Sequence, residues 1–171
     1  MARLFIAVWL PDDVVAELRA LPRKDQRGVR FVHPENWHVT LRFLGEAHPD
    51  AVEDALEGVD IAPAWVRLGP AVDVLAGRSL VIPVDGLDTA AREVTTRTRD
   101  LGERPRPRFV GHLTIARLQP FADAPRALGA MVDASFELEE IALVESRLHP
   151  QGARYTTIAT WPVGGRPLSG G

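Results

Sequence analysis

HVTLRFLG, residues 38–45, and HLTIARL, residues 112–118, share one local pattern: histidine, an aliphatic residue, threonine, an aliphatic residue. The chain has five histidines in all, so two in the same setting form a pair that needs explaining. A β-strand sends residues i and i+2 to the same face. His38 and Thr40 therefore project together, with Val39, Leu41 and Phe43 directed to a core on the other side. His112 and Thr114 project together, with Leu113 and Ile115 opposite. Each strand presents an imidazole beside a hydroxyl. By the same alternation Arg42 joins His38 and Thr40. Arg117 falls on the face opposite His112 unless twist, a bulge or the strand end re-aims it.

Outward from these two stretches, hydrophobic periodicity predicts the remaining elements. Residues 2–10 (ARLFIAVWL) read as a buried strand, followed by a helix over 11–21 with Val14, Val15, Leu18 and Leu21 at helical spacing. Residues 29–32 are a short strand and HPEN, 33–36, a turn; the first motif strand covers 37–44 and ends at Gly45. A helix spans 49–59, strands cover 65–75 and 80–84, and a second long helix covers 87–101. The second motif strand spans 109–118, a helix follows over 124–132, and 136–148 with 154–162 form a terminal hairpin. Residues 164–171, rich in Gly, Pro and Ser, read as a disordered tail. Hairpins interrupt the alternation of strands and helices, which predicts an α+β fold with mixed or antiparallel sheets. Arg-Phe-Val precedes each motif, at 30–32 and at 108–110, and suggests two related lobes.

Composition narrows the function. At 171 residues the chain is read as one domain. It has no cysteine, which excludes disulfides, thiolate nucleophiles and cysteine-based zinc sites and fits a reducing, cytoplasmic setting. The early apolar run, Leu4 to Leu10, is too short for a membrane span. Net charge is −3, yet arginines cluster at Arg23, Arg27 and Arg30 (with Lys24) and again in RPRPR, 104–108. These clusters read either as solvated loops or as a positive rim on a phosphate site. Lys24 is the sole lysine, and there is no Gly-Lys-Ser/Thr loop for nucleotide phosphates and no Gly-x-Ser-x-Gly elbow. His33, His48 and His149 each precede proline, in turns or at a helix start, and are assigned no chemistry. Trp9, Trp37, Trp65 and Trp161 are expected to pack in the core or on the sheet.

Two imidazoles suit phosphodiester cleavage. In-line displacement at phosphorus needs a base on the attacking oxygen and an acid on the leaving oxygen. Histidine serves either role near neutral pH. Threonine hydroxyls can donate to the non-bridging oxygens as charge develops. Two histidines fall short of a metal site, and no metal or other cofactor is expected.

The paired HVTL and HLTI segments, the HVTLRFLG continuation and the terminal LHPQGARYTTIATWPV stretch resemble the two-histidine (2H) phosphoesterase superfamily, and within it the RNA 2′,3′-cyclic phosphodiesterase (2′-5′ RNA ligase, LigT-like) family. The resemblance covers residues 1–163. It implies a bilobal, pseudo-twofold α+β structure, two sheets flanking a central cleft with helices outside. It implies hydrolysis of 2′,3′-cyclic phosphate ends to 2′-phosphomonoesters without ATP. Alternatives are reversible 2′-5′ ligation, cleavage of other cyclic or 2′-5′ nucleotides, and an RNA-end binding module without chemistry. By the resemblance His38 is the proton donor and His112 the proton acceptor. Thr40, Thr114 and Arg117 contact the phosphate, and Arg42 is a further substrate-binding candidate. The implied partners are RNA ends or small nucleotides bearing the cyclic phosphate, met by a monomer away from membranes.

Overall fold

The computed structural model describes residues 1–165. Ten strands and three α-helices follow in the order β1 (Ala2–Trp9), α1 (Asp12–Leu18), β2 (Val29–Phe31), β3 (His38–Ala47), α2 (Pro49–Leu56), β4 (Trp65–Leu68), β5 (Asp73–Leu75), β6 (Ser79–Asp85), α3 (Asp88–Arg97), β7 (His112–Leu118), β8 (Ala134–Glu137), β9 (Glu140–His149) and β10 (Gly152–Pro162). The strands form one open path, β10-β9-β1-β3-β7-β6-β4-β8, with β2 added to β7 and β5 to β6. Every pairing is antiparallel. The two sheets expected on either side of a cleft meet at β3 and β7, where the ladder is reduced to one residue pair, Val39 opposite Leu113. Strands that pair at one position and then part leave a groove between the two halves of the sheet.

The core lies on the face of Val39 and Leu113, both fully buried. Leu4, Ile6 and Val8 of β1, Leu80, Ile82 and Val84 of β6, and Ile141 and Leu143 of β9 join them there, covered by Val14 and Leu18 of α1, Val52 and Leu56 of α2 and Val94 of α3. The opposite face carries a smaller apolar patch of Phe5, Ala7, Ala142 and Val144, flanked by Trp9, Phe43 and Tyr155.

The structure corrects several expectations. Strand β3 does not end at Gly45 but continues to Ala47. Its register against β1 shifts twice, so that Leu41 and then Leu44 have no opposite partner. The first shift turns Phe43 from the predicted core face to the apolar patch on the other side and carries Arg42 into the core face. The predicted helix over 124–132 is a series of turns, consistent with Pro125 and Gly129 in the segment. Residues 65–75 divide into β4 and β5 around Gly69-Pro70, and the predicted strand from 136 to 148 is two, β8 and β9. Trp65, expected to pack, is 60% exposed on β4. The Arg-Phe-Val echo is not structural: residues 30 and 31 lie in β2, whereas 108–110 are loop. Of the predicted tail, the Gly164 N–H donates to the Ile61 carbonyl at 2.8 Å, and residues 166–171 lie outside the described residues.

Arg42 explains how the second shift in β3 is held. The side chain is 4% exposed. Its guanidinium donates to the carbonyls of Phe43 (2.7 Å), Leu101 (2.9 Å), Glu103 (2.7 Å) and, at 3.4 Å, Thr98. The Glu103 N–H in turn donates to the Leu44 carbonyl at 2.7 Å. Gly45 (φ +65°) and Gly102 (φ +62°) provide the backbone turns on either side. A side chain at Gly102 would strike the Leu44 carbonyl. One buried arginine thus ties the loop after α3 to the irregular part of β3. Arg42→Met keeps much of the apolar volume but takes the side-chain donor from these carbonyls, of which that of Thr98 still accepts the Leu101 N–H. Each orphaned buried acceptor costs about 1–3 kcal/mol with partial relief by water, so a loss of about 2–4 kcal/mol is expected, measured as a lowered urea midpoint at unchanged slope.

Candidate active site

Val39 and Leu113 point into the core, so the residues that flank them point the other way. Extending the register of this antiparallel pair sets His38 toward Thr114 and Thr40 toward His112. The two His-x-Thr pairs therefore share one face and one groove. All four side chains are half-buried. They lie where the two halves of the sheet meet, on the face opposite the helices.

The two rings are oriented alike. His38 Nδ1 is 2.7 Å from the Asn36 carbonyl, and His112 Nδ1 is 2.7 Å from the Val110 carbonyl. A carbonyl only accepts, so Nδ1 carries the proton in both rings and donates it to the residue two positions upstream. That leaves Nε2 of each ring as the atom that takes up or releases a proton. His38 Nε2 lies 3.2 Å from Thr40 Oγ1, whose hydroxyl donates to the neutral ring.

Their surroundings differ. His38 stands in an aromatic cradle, its ring centroid 4.9 Å from Phe5, 5.4 Å from Tyr155 and 5.6 Å from Trp9. Trp9 is fixed by an Nε1–H donated to Thr157 Oγ1 at 3.1 Å. Burial in this cradle holds the His38 pKa below its ordinary value of 6.5. The bond to the Asn36 carbonyl opposes that shift, and the positive charges of Arg117 and His112 add to it. The influence of those two groups on His38 places all three in one electrostatic neighbourhood.

Arg117 reaches the same face as His112 by one of the routes that alternation left open, a bulge. Between Leu80 and Val81 of β6 the register against β7 slips, so Ile115 has no opposite partner. After that bulge Ala116 is buried opposite Leu80, and Arg117 stands opposite Ser79 on the groove face. Arg117 donates to Ser79 Oγ at 2.8 Å. The corresponding bulge in β3 has the opposite outcome for Arg42. Leu41 is the unpaired residue, Arg42 becomes the inward one and is consumed by main-chain carbonyls, and Phe43 takes the place that Arg117 has in β7. Arg42 is thus removed from the candidate ligand contacts: it serves the scaffold.

The groove wall contains residues the sequence reading did not assign. Phe5 and Trp9 were legible as alternate positions of β1, with Ala7 between them; Tyr155 and Thr157 alternate in the same way on β10. What the sequence withheld was which face of those strands meets His38. Ser79 gave no signal, because its role depends on the slipped register. His33 and His48 precede the first turns of a short 3-10 helix and of α2, and His149 ends β9, its Nδ1 accepting the Gln151 N–H at 3.3 Å. Among the described residues no three His, Cys, Asp or Glu side chains gather as a metal-binding group, and no helix is long and apolar enough to cross a membrane.

An open antiparallel α+β sheet with two His-x-Thr strands facing one groove defines a phosphoesterase of the two-histidine class. Residues 8–67 match the family described as LigT like phosphoesterase. An RNA 2′,3′-cyclic phosphodiesterase of Thermus thermophilus is 31% identical, the alignment covering 95% of this chain and 91% of the relative. One of Methanocaldococcus jannaschii is 25% identical over 93% of this chain and 99% of the relative. The crystal structure of TT0787 of Thermus thermophilus superposes with a TM-score of 0.77 at 30% identity, covering 96% of this chain and all of that one. Escherichia coli LigT, solved with 3′-AMP, shares the fold with a TM-score of 0.74 at 23% identity over 95% of this chain and 98% of that one. The chain belongs to the LigT-like phosphoesterase family.

The lowered His38 pKa has a measurable consequence. Between its folded pKa and the ordinary value of about 6.5 the unfolded chain binds more protons at this position than the folded one. His38 therefore contributes stability that is present above about pH 6.5 and is lost as pH falls through the folded pKa. Proton NMR titration of the free protein is expected to place the His38 midpoint below 6.5. Inorganic phosphate, by bringing negative charge into the groove, raises it.

Proposed function

We propose that the groove hydrolyses RNA 2′,3′-cyclic phosphate ends to 2′-phosphomonoesters, with His38 and His112 as acid and base. The observation that carries this reading is the matched pair of imidazoles. Each is locked by its own main chain with Nε2 as the titrating atom, and each is accompanied by a threonine on the shared face. The named relatives, RNA 2′,3′-cyclic phosphodiesterases aligned over nearly the whole chain, support the same substrate. Residues 1–163 act as one bilobal unit, and both histidines come from one chain, so a monomer suffices.

In the proposed reaction the cyclic phosphate lies between the two rings. Neutral His112 takes a proton from water at Nε2 as the water oxygen bonds to phosphorus. The bond from phosphorus to the 3′-oxygen breaks in line, and protonated His38 delivers its Nε2 proton to that oxygen. The products are a 3′-hydroxyl and a 2′-phosphate. Thr40, Thr114 and Arg117 donate to the non-bridging oxygens, where they act best if held in place before the reaction. Ser79 restrains Arg117 by the hydrogen bond already described. Burial makes the free His38 a reluctant proton carrier. An anionic substrate beside it counters that reluctance, so substrate binding itself charges the acid.

A short RNA ending in 2′,3′-cyclic phosphate tests the reading directly. Turnover to a 2′-phosphate end is expected, with a bell-shaped dependence on pH and no loss in EDTA. His38→Ala and His112→Ala are each expected to reduce kcat by about a hundredfold to ten-thousandfold. A joined RNA product in place of the monoester, or wild-type rates in either variant, contradicts the assignment.

A further inference from the structure

The neighbour of Arg117 on the side away from Ser79 is unusual. Strand β2 pairs with β7 so that Arg30 is directly opposite Arg117. Directly opposite residues in an antiparallel pair point to the same face, and like charges placed so are destabilising. Burial fixes which face this is: Val29 and Ala116 are buried on the core side, and Arg30 and Arg117 are exposed on the other. Across three adjacent strands the groove face therefore reads Arg30, Arg117, Ser79. Among the described residues the ion pairs are Arg97 with Glu93 and Arg147 with Glu145, so neither Arg30 nor Arg117 has a carboxylate to offset the repulsion. The Arg30 guanidinium also reaches across the end of the groove. Its Nη2 lies 3.4 Å from where a side chain on Gly152 would begin, at the start of β10. That strand carries Tyr155 of the His38 cradle. Arg30 thus stands beside Arg117 on the edge of β7 that β3 also uses, between the two walls of the groove.

We propose that Arg30 binds a second phosphate, the one on the 5′-oxygen of the nucleoside whose 2′,3′-cyclic phosphate lies between His38 and His112, with Arg117 lying between the two phosphates and sharing its remaining N–H donors between them. This rests on the reading of the groove as a cyclic phosphodiesterase site and makes Arg30 a residue that selects for 5′-phosphorylated substrates. An anion between two facing guanidinium groups converts their repulsion into a clamp with several donors. The cationic neighbours of Arg30 do not compete for this role: Arg23 is stacked over Trp37 and Arg27 over Phe121. In an RNA end the second phosphate is the last internucleotide linkage; in a mononucleotide it is a terminal 5′-phosphate. Both present at least two anionic, non-bridging oxygens to the clamp.

The test compares kcat/KM for adenosine 2′,3′-cyclic phosphate, the same compound with a 5′-phosphate, and an adenosine dinucleotide ending in 2′,3′-cyclic phosphate. The wild-type protein is expected to favour both 5′-phosphorylated substrates by about tenfold, the size of one charge-assisted contact. Arg30→Gln collapses that preference towards one, and Arg30→Lys restores part of it, because an ammonium supplies charge without the guanidinium fork. In wild type the preference also shrinks as salt rises, because mobile ions screen the added charge–charge contact. The salt dependence is read on the unmodified protein and does not rely on any variant folding. A preference confined to the dinucleotide and retained by Arg30→Gln, or no preference in wild type, overturns the inference alone. Absence of turnover on all three substrates overturns the underlying reading and the inference with it.

Discussion

A single ladder pair, Val39 opposite Leu113, decides how the two halves of this molecule meet. Both residues are completely buried, with relative exposures of 0%. Their burial fixes which way the adjacent residues point. Neither His38 nor His112 can turn to the core without expelling one of these aliphatic side chains into water, at about 1.5–3 kcal/mol for each. The groove exists because the ladder stops after this pair. A longer β3–β7 ladder would close the two strands side by side and leave no depth for a phosphate.

The two halves then diverge by the use each makes of a bulge. Both strands lose register just after the threonine, at Leu41 and at Ile115. In each, the next two positions exchange their expected faces. In β7 the exchange brings an arginine to the groove and an alanine to the core. In β3 it brings a phenylalanine to the groove and an arginine to the core. One wall is consequently cationic, with Arg117 and its partner Ser79, and the other aromatic, with Phe5, Trp9, Phe43 and Tyr155. Similar strands thus give two unlike walls, one suited to charge and the other to flat apolar surface.

The histidine and threonine pairs were legible because strand alternation is strict over three residues, and the α+β antiparallel class followed from the spacing of strands and turns. Arg117 and Arg42 were not separable on that basis. Alternation alone gave Arg42 to the groove and Arg117 to the core, and the structure exchanges them. A bulge is set by what the partner strand and a distant loop impose; here the carbonyls of Leu101 and Glu103 claim Arg42. Nothing in the local string HVTLRF announces those partners. The aromatic cradle was hidden for a related reason. Phe5, Trp9 and Tyr155 belong to strands whose pairing order places the last strands beside the first, and order within a sheet is a property of topology, not of any one segment. The helix expected over 124–132 fails for a local reason instead: Pro125 and Gly129 both disfavour it, and the segment forms turns.

The orientation of each imidazole comes from a main-chain carbonyl two residues upstream. Where a carboxylate side chain sets the tautomer of a histidine, a substitution of that partner releases the ring. Here the restraining oxygen belongs to the peptide unit of residue 36 or 110, whatever side chain those residues bear. The tautomer is therefore a property of the path of the chain, heritable with the fold itself and indifferent to drift in the surrounding sequence.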